Sequence, residues 1–272
     1  MITMVVDGNN LCSRMFFVMP GMSAPGTNEQ RGAIHGFLTQ VRKLREQFNA
    51  TRLAFCFDAD ADTYRRKDLF GGYKVLNPNG GMGTKDKKFL RPQIKRLREE
   101  ILPALGFRNV FRQDGYEADD LVAACCNSYQ VKEAVIVSSD KDLFQCLSTH
   151  PGKVVTQYVF DTNVRTEGWL MATWGVTPKE WPKVKALSGD ISDNIPGVPG
   201  VKEKTAVRYM MGEISTTSQV YRSIKLHKER YELNLKLVTL PFEGCEIPEL
   251  REDADTPASW DRVTRRLDLQ LR

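Results

Sequence analysis

Five groups of carboxylates recur along this chain, most of them just after an apolar run or a turn. Asp7 closes Met4-Val5-Val6-Asp7, and Asp58 closes Phe55-Cys56-Phe57-Asp58. Glu117, Asp119 and Asp120 stand within four residues of one another. Asp140 and Asp142 follow Val135-Ile136-Val137, and Asp190 and Asp193 lie in Gly189-Asp190-Ile191-Ser192-Asp193. Acids at the ends of parallel strands converge on one edge of a sheet. Carboxylates gathered in this way repel one another and cannot all ionise unaided. Divalent cations that favour oxygen ligands, Mg2+ or Mn2+, are the usual remedy. The pattern implies a metal-dependent enzyme acting on phosphates.

Each group also has an ordinary structural explanation. Asp7-Gly8-Asn9-Asn10 reads by itself as a turn, because Asp-Gly and Asn favour turn backbones. Acids in the first turn of a helix complement its dipole, which accounts for one or two of Glu117, Asp119 and Asp120 but is strained by three. Glu117 and Asp120, three apart, can share one helix face. Ser138-Ser139-Asp140 offers good N-caps, which explains one acid and leaves Asp142 spare. Asp161 also ends a candidate strand, but Thr162-Asn163 beside it makes it a turn residue, so it is left out of the set.

The most specific stretch runs from Asp190 to Ala206. Gly197-Val198-Pro199-Gly200-Val201 makes a tight hairpin turn, and the helix that follows begins with Lys202 and Lys204. Glycines let a backbone approach a phosphate, and a helix N-terminus presents free N–H groups to it. This is a helix-hairpin-helix pattern, which holds a nucleic-acid backbone without reading its sequence. A basic stripe supports the same kind of partner. Residues 84 to 98 hold seven bases (Lys85, Lys87, Lys88, Arg91, Lys95, Arg96, Arg98) and one acid, more than the whole net charge of +5. Arg65, Arg66, Lys67 and Lys74 add a second patch upstream. Local basicity beside an acidic cluster points to a polyanion.

The elements that must position these residues are legible from periodicity. Residues 2–6, 53–57, 110–111, 134–137 and 154–160 read as strands. Residues 33–48, 84–102 and 118–128 read as helices, and another begins at Leu143. Strands alternating with helices predict a parallel α/β sheet. From about Asp60 to Gly83 the pattern dissolves into glycine-rich loops, and from 178 to 272 the chain reads as helical. The length, 272 residues with 41% hydrophobic and 27% charged, suits a globular protein with one large or two modest domains. No apolar run approaches membrane-spanning length, and the opening residues lack the basic flank of a signal peptide. Six cysteines without a CxxC pair read as reduced core residues of a cytoplasmic protein, which argues against a zinc site or a disulfide framework.

Taken together and in order, these residues resemble the 5′-nuclease family, which includes flap endonucleases, the 5′→3′ exonuclease domain of bacterial DNA polymerase I, and free-standing bacteriophage 5′-nucleases. The motifs that carry it are Val6-Asp7-Gly8-Asn9-Asn10, Phe57-Asp58, Gly72-Tyr73-Lys74, Gly115 through Asp120, Ser139-Asp140-Lys141-Asp142 and Gly189 through Ala206. The resemblance implies a PIN-like, mostly parallel central sheet flanked by helices over residues 1–175. It implies a helical arch at about 77–98, and a helical region at 176–272 that carries the helix-hairpin-helix. It implies two divalent ions, with Asp7, Asp58, Glu117 and Asp119 nearer the first and Asp120, Asp140, Asp142, Asp190 and Asp193 nearer the second. Lys74 matches the family's active-site lysine, and Arg65 an arginine at the base of the arch. DNA contacts are expected from Tyr73, Lys85, Lys87, Lys88, Arg91, Lys95, Gly197, Val198, Gly200, Val201, Lys202 and Lys204, with K+ on the hairpin carbonyls.

The implied activity is structure-specific cleavage of DNA with 5′ flaps, nicks or free 5′ ends, extending to RNA–DNA hybrids, by a monomer with no membrane partner. Asn77 stands where many relatives have arginine, and the Pro78-to-Gly83 insert lengthens or loosens the arch. No polymerase domain follows, so the free-standing phage type is the nearest expectation. The rival from another class is a non-catalytic DNA-structure-binding protein, which has no need of acids at five places.

Overall fold

The computed structural model describes residues 1–23, 29–59, 64–75, 84–160 and 164–270. Its centre is a six-stranded sheet ordered β3-β2-β1-β4-β6-β5. The strands are β1 Ile2–Asp7, β2 Arg52–Cys56, β3 Val110–Phe111, β4 Glu133–Val137, β5 Ser148–His150 and β6 Lys153–Tyr158. All neighbours run parallel except β5, which returns antiparallel along β6. The order reverses about β1, which lies between β2 and β4. Ligands of open α/β sheets gather at such a switch point, beyond the carboxyl ends of the strands.

Alternation sorts the strand residues onto two faces. Met4, Val6, Leu53 and Phe55 point into one core, and Val5, Ala54 and Cys56 into the other. Both faces are covered, as a parallel sheet requires. The first core is filled by α1 Gly8–Val18, α2 Gly32–Gln47 and the run α4 Thr84–Arg96, a π-helical turn Leu97–Ile101 and α5 Leu102–Leu105. The buried amide of Gln93 in α4 accepts the N–H groups of Ala33 and Ile34 at 3.0 and 3.3 Å, which caps α2 where its own Arg31 does not. The second core rests on α6 Ala118–Asn127. All six cysteines are free, and five are buried.

The second lobe packs Trp181, Phe144, Leu187, Val198 and Val207 into a separate core. It contains α7 Glu167–Trp174, α8 Trp181–Ser188, the short ribbon β7 Gly189–Asp190 with β8 Ile195–Pro196, and α9 Glu203–Met210. It ends with α10 Gln219–Leu226 and α11 Lys228–Val238. The tail then returns to the sheet. Cys245 and Leu250 join the second core, and Val263 and Leu267 of the α12 Pro257–Arg266 region join the first. The helical stretch expected from 176 onward is thus divided in space, because its last apolar residues bury against the sheet.

Three local expectations are corrected. Asp7-Gly8-Asn9-Asn10 is no free turn: Asp7 caps α1, accepting the Asn10 N–H at 3.0 Å. The segment after Asp142 forms only a 3-10 turn, Asp142–Cys146. The basic helix runs on to Leu105 through the π turn. Residues 76–83, which would open the arch, and Asp161 lie outside the described residues.

Candidate metal centre and nucleic-acid interface

β1 ends at Asp7, β2 is followed by Phe57-Asp58, and β4 by Ser138-Ser139-Asp140. Their parallel register, with Asp7 beside Cys56 and Val6 beside Val137, brings the three acids to one edge. Asp58 accepts from the Asn9 amide at 2.6 Å and from the Ala118 N–H at 2.8 Å, so it sits at the start of α6 where the helix dipole favours an anion. Ser138 Oγ donates to Asp7 at 2.9 Å and receives the Asp140 N–H at 3.1 Å. Asp140 in turn accepts the Asp142 N–H at 2.8 Å. One hydroxyl therefore links the β1 acid to the β4 loop.

Two ammonium groups stand among the acids. Lys74 Nζ lies 2.7 Å from Glu117 and 3.5 Å from Asp193. The buried Tyr73 hydroxyl lies 3.0 Å from Glu117 and 3.2 Å from Asp193. Lys185, on α8, lies 2.9 Å from Asp142 and 2.6 Å from Asp190. Asp190 also takes the Ser192 N–H at 2.8 Å. Lys185 is absent from the sequence-derived set. Its only signal there is a lysine inside the apolar run Val184 to Leu187.

The charge balance is uneven: eight carboxylates share two lysines. Burial pushes Asp7 up to about 7, and Asp58 and Asp140 add to the rise. Burial, then repulsion from neighbouring acids, raises Asp58 and carries Asp119 well above the usual carboxylate range. Burial also raises Asp140. Asp142 and Asp193 are each pushed by burial to about 6, although Lys185 and Lys74 respectively pull them back. Burial would raise Glu117 too, but Lys74 and Arg66 hold it below its ordinary value. Asp190, opposed in the same way by burial, is held low by Lys185.

This donor set fits hard divalent cations. It is all oxygen, it carries unrelieved negative charge, and the buried Glu117 Oε1 has no hydrogen-bond partner. Among the described residues no three of these groups are drawn into a finished cage.

Asp120 must be removed from the expected metal ligands. Arg66 grips both its oxygens, at 2.6 and 2.7 Å, and the N–H groups of Glu117 and Phe242 add bonds at 3.1 and 2.7 Å. Fully buried and so occupied, it has no oxygen turned to the acid edge. Arg65 lies over the rings of Tyr64 and Tyr116, at 5.8 and 5.4 Å, while its neighbour Arg66 reaches inward. The i, i+4 spacing of Arg66 and Phe70 holds the missed signal: Arg66 lies over the Tyr73 ring at 5.8 Å, and Phe70 packs on the same cluster as Tyr73.

Basic groups flank the acids on one side. A cleft of ≈ 630 Å³ opens between Asn9 and Asp58 on one wall and Lys88, Arg91, Lys95 and Arg98 of the α4 run on the other. Three expected arch contacts thus face the site, while the side chains of Lys85 and Lys87 lie outside the described residues. On the other side, Gly200 takes a φ of +79° and Gly197 packs so closely on Ser188 that a Cβ would come 2.2 Å from its carbonyl oxygen. Glycine is needed at both positions. Lys202 and Lys204 are exposed beside them.

Three of the residues expected at the DNA have buried side chains. The Val198 and Val201 side chains anchor the hairpin in the second-lobe core. Their N–H groups bond to Leu187 and Val198 carbonyls at 2.8 and 3.0 Å. Tyr73 lies beneath the acids, 2% exposed, where no strand can reach it.

Two family models match the chain: 5′-3′ exonuclease, N-terminal resolvase-like domain, over residues 2–175, and 5′-3′ exonuclease, C-terminal SAM fold, over residues 176–265. The thermostable DNA polymerase I of Thermus aquaticus is 30% identical over 281 residues. That alignment covers 98% of this chain and 29% of the polymerase, so the chain spans less than a third of that relative's length. The T5 5′-exonuclease with divalent zinc ions bound superposes with a TM-score of 0.71 at 19% identity, covering 89% of this chain and 90% of the other. A bacteriophage T5 flap endonuclease in a pseudo-enzyme–product complex with DNA and metal ions gives 0.69 at 19% identity, with the same coverage.

Proposed function

The chain belongs to the 5′-3′ exonuclease family, and from that premise we propose that it is a structure-specific 5′-nuclease that hydrolyses phosphodiesters of DNA at 5′ flaps, nicks and free 5′ ends. The observation that carries the reading is a single edge of the sheet. Carboxylates, the Lys74 ammonium, a basic cleft and a glycine hairpin lie side by side there. A protein that only bound DNA would have no use for so many carboxylates at one edge, where they repel the phosphates.

Asp7, Asp58, Glu117 and Asp119 would hold one divalent ion, and Asp140, Asp142, Asp190 and Asp193 a second, with Mg2+ the best match to their oxygen donors. Bound there, such ions would activate water and stabilise the leaving oxygen. Lys74, 40% exposed, offers positive charge to the phosphoryl oxygens as they gain charge. Tyr73 and Lys74 together fix the Glu117 carboxylate. Lys88, Arg91 and Lys95 draw a single 5′ strand towards the acids by phosphate attraction. The hairpin glycines with Lys202 and Lys204 hold the adjoining duplex, with K+ on the hairpin carbonyls. RNA–DNA hybrids fit the same backbone-directed grip.

The experiment is release of product from a 5′-labelled flap duplex with and without Mg2+, run beside nicked and RNA–DNA hybrid substrates. Mg2+-dependent cleavage near the flap junction is expected. Tight duplex binding with no cleavage under any divalent ion would leave the DNA-structure-binding reading in its place.

A further inference from the structure

Two non-glycine residues near the acid edge hold left-handed backbones, Lys74 at φ +50° and Asn194 at φ +57°. A lysine gains nothing from that conformation, which is unfavourable unless its surroundings impose it. Their two segments meet. The Lys74 N–H donates to the Asp193 carbonyl at 2.9 Å, and the Asn194 side-chain amide donates to the Gly72 carbonyl at 2.7 Å. Tyr73, between them, reaches the Asp193 carboxylate. Asparagine tolerates the left-handed region better than other side chains with a Cβ, and its amide supplies the donor that Gly72 takes.

We propose that Asn194 is a positioning residue for Lys74: its amide on the Gly72 carbonyl clamps the left-handed backbone of Lys74 and so sets the ammonium between Glu117 and Asp193. The clamp joins two segments 122 residues apart in the chain. Asn194 sits in the loop between β7 and β8, and β8 leads straight into the glycine hairpin. The element that would hold duplex therefore also holds the lysine in register. The clamp is a property of the folded chain, while its consequence for turnover rests on the role given to Lys74 above.

Asn194→Gly keeps the left-handed turn and removes the amide. Asn194→Asp keeps the shape and tolerates the turn but sets a carboxylate oxygen against the Gly72 carbonyl. Hydrogen exchange in the metal-free protein, without DNA, reads the clamp directly. Both variants are expected to exchange the Lys74 amide roughly tenfold faster, with the Val201 amide of the hairpin unchanged, as loss of one hydrogen bond implies. Unchanged exchange at Lys74 in both variants overturns the proposal.

The second arm is a cycle with Lys74→Ala on the flap substrate. Each Asn194 variant is expected to lower kcat roughly fivefold or more when Lys74 is present and to cost nothing further in the Lys74→Ala background. An equal loss in both backgrounds means that Asn194 acts by another route and overturns the proposal. If Lys74→Ala itself leaves kcat unchanged, the reading of Lys74 fails, and the exchange arm still decides the clamp.

Discussion

Arg66 and Asp120 form a two-pronged ion pair at 2.6 and 2.7 Å, with their side chains 2% and 0% exposed. The same arginine donates to the Leu237 carbonyl at 2.9 Å, and the same aspartate takes the Phe242 N–H. The pair ties α3 Tyr64–Leu69, the start of α6 and the end of α11 together behind the acids.

Its removal is expected to cost stability. Arg66→Met leaves a buried carboxylate without its counter-charge, a loss of about 3–5 kcal/mol in comparable pairs. Urea denaturation of the metal-free protein measures it. A change below about 1 kcal/mol would mean that the pair is open in solution. Asp120→Asn should lower stability in the same assay while leaving divalent-ion affinity of the folded protein unchanged, because no Asp120 oxygen faces the acid edge.

Asp142→Asn should behave in the opposite way. Asp142 stands on the acid edge against Lys185 at 2.9 Å. The variant is expected to lose cleavage of a 5′-flap duplex by at least about a hundredfold, an effect of the size seen when one preorganised electrostatic group is removed. Duplex affinity, read by fluorescence anisotropy, should be retained. Near-normal cleavage would remove Asp142 from the metal site.

The raised carboxylates predict how stability depends on pH. Asp7 sits at about 7, and Asp142 and Asp193 at about 6, all above the ordinary value of 3.8. The folded state therefore binds more protons than the unfolded state between those limits, and stability falls as pH rises through that window. Glu117 and Asp190, held below their ordinary values of 4.5 and 3.8, add stability as pH rises only below that window. Metal-free protein is expected to lose Tm between about pH 4 and pH 7, and saturating Mg2+ should flatten the curve. Scanning calorimetry in chelator and in Mg2+ tests this. A Tm that climbs steadily with pH in chelator would contradict the buried charge excess.

The cleft bases make a prediction about salt. Replacing Lys88, Arg91 and Lys95 with alanine should reduce the slope of log affinity against log salt for a 5′-flap strand by roughly 0.7 for each phosphate no longer neutralised. A slope equal to wild type would mean that these groups face only solvent.

Much of this was legible in the chain because the signals are local. The apolar runs Met4-Val5-Val6 and Leu53-Ala54-Phe55 mark buried strands from neighbours along the chain alone, and they placed Asp7 and Asp58 at strand ends without any knowledge of their partners. The glycine hairpin is local too, since its turn is dictated by the residues within it. What the chain alone left open was direction and partner. Asp119 and Asp120 are adjacent and of one type, yet it is Asp120 that meets Arg66 from 54 residues away. Arg65 and Arg66 are likewise interchangeable in composition and opposite in space. Val198 and Val201 read as hairpin residues but serve as its anchor. Lys185 gains its meaning only when α8 brings it to Asp142 and Asp190.

The sequence by itself determined which residue types reach the edge of the sheet, because periodicity specifies the face. The tertiary structure decided which of them confront a cation, because burial and counter-charge depend on contacts made across the whole chain.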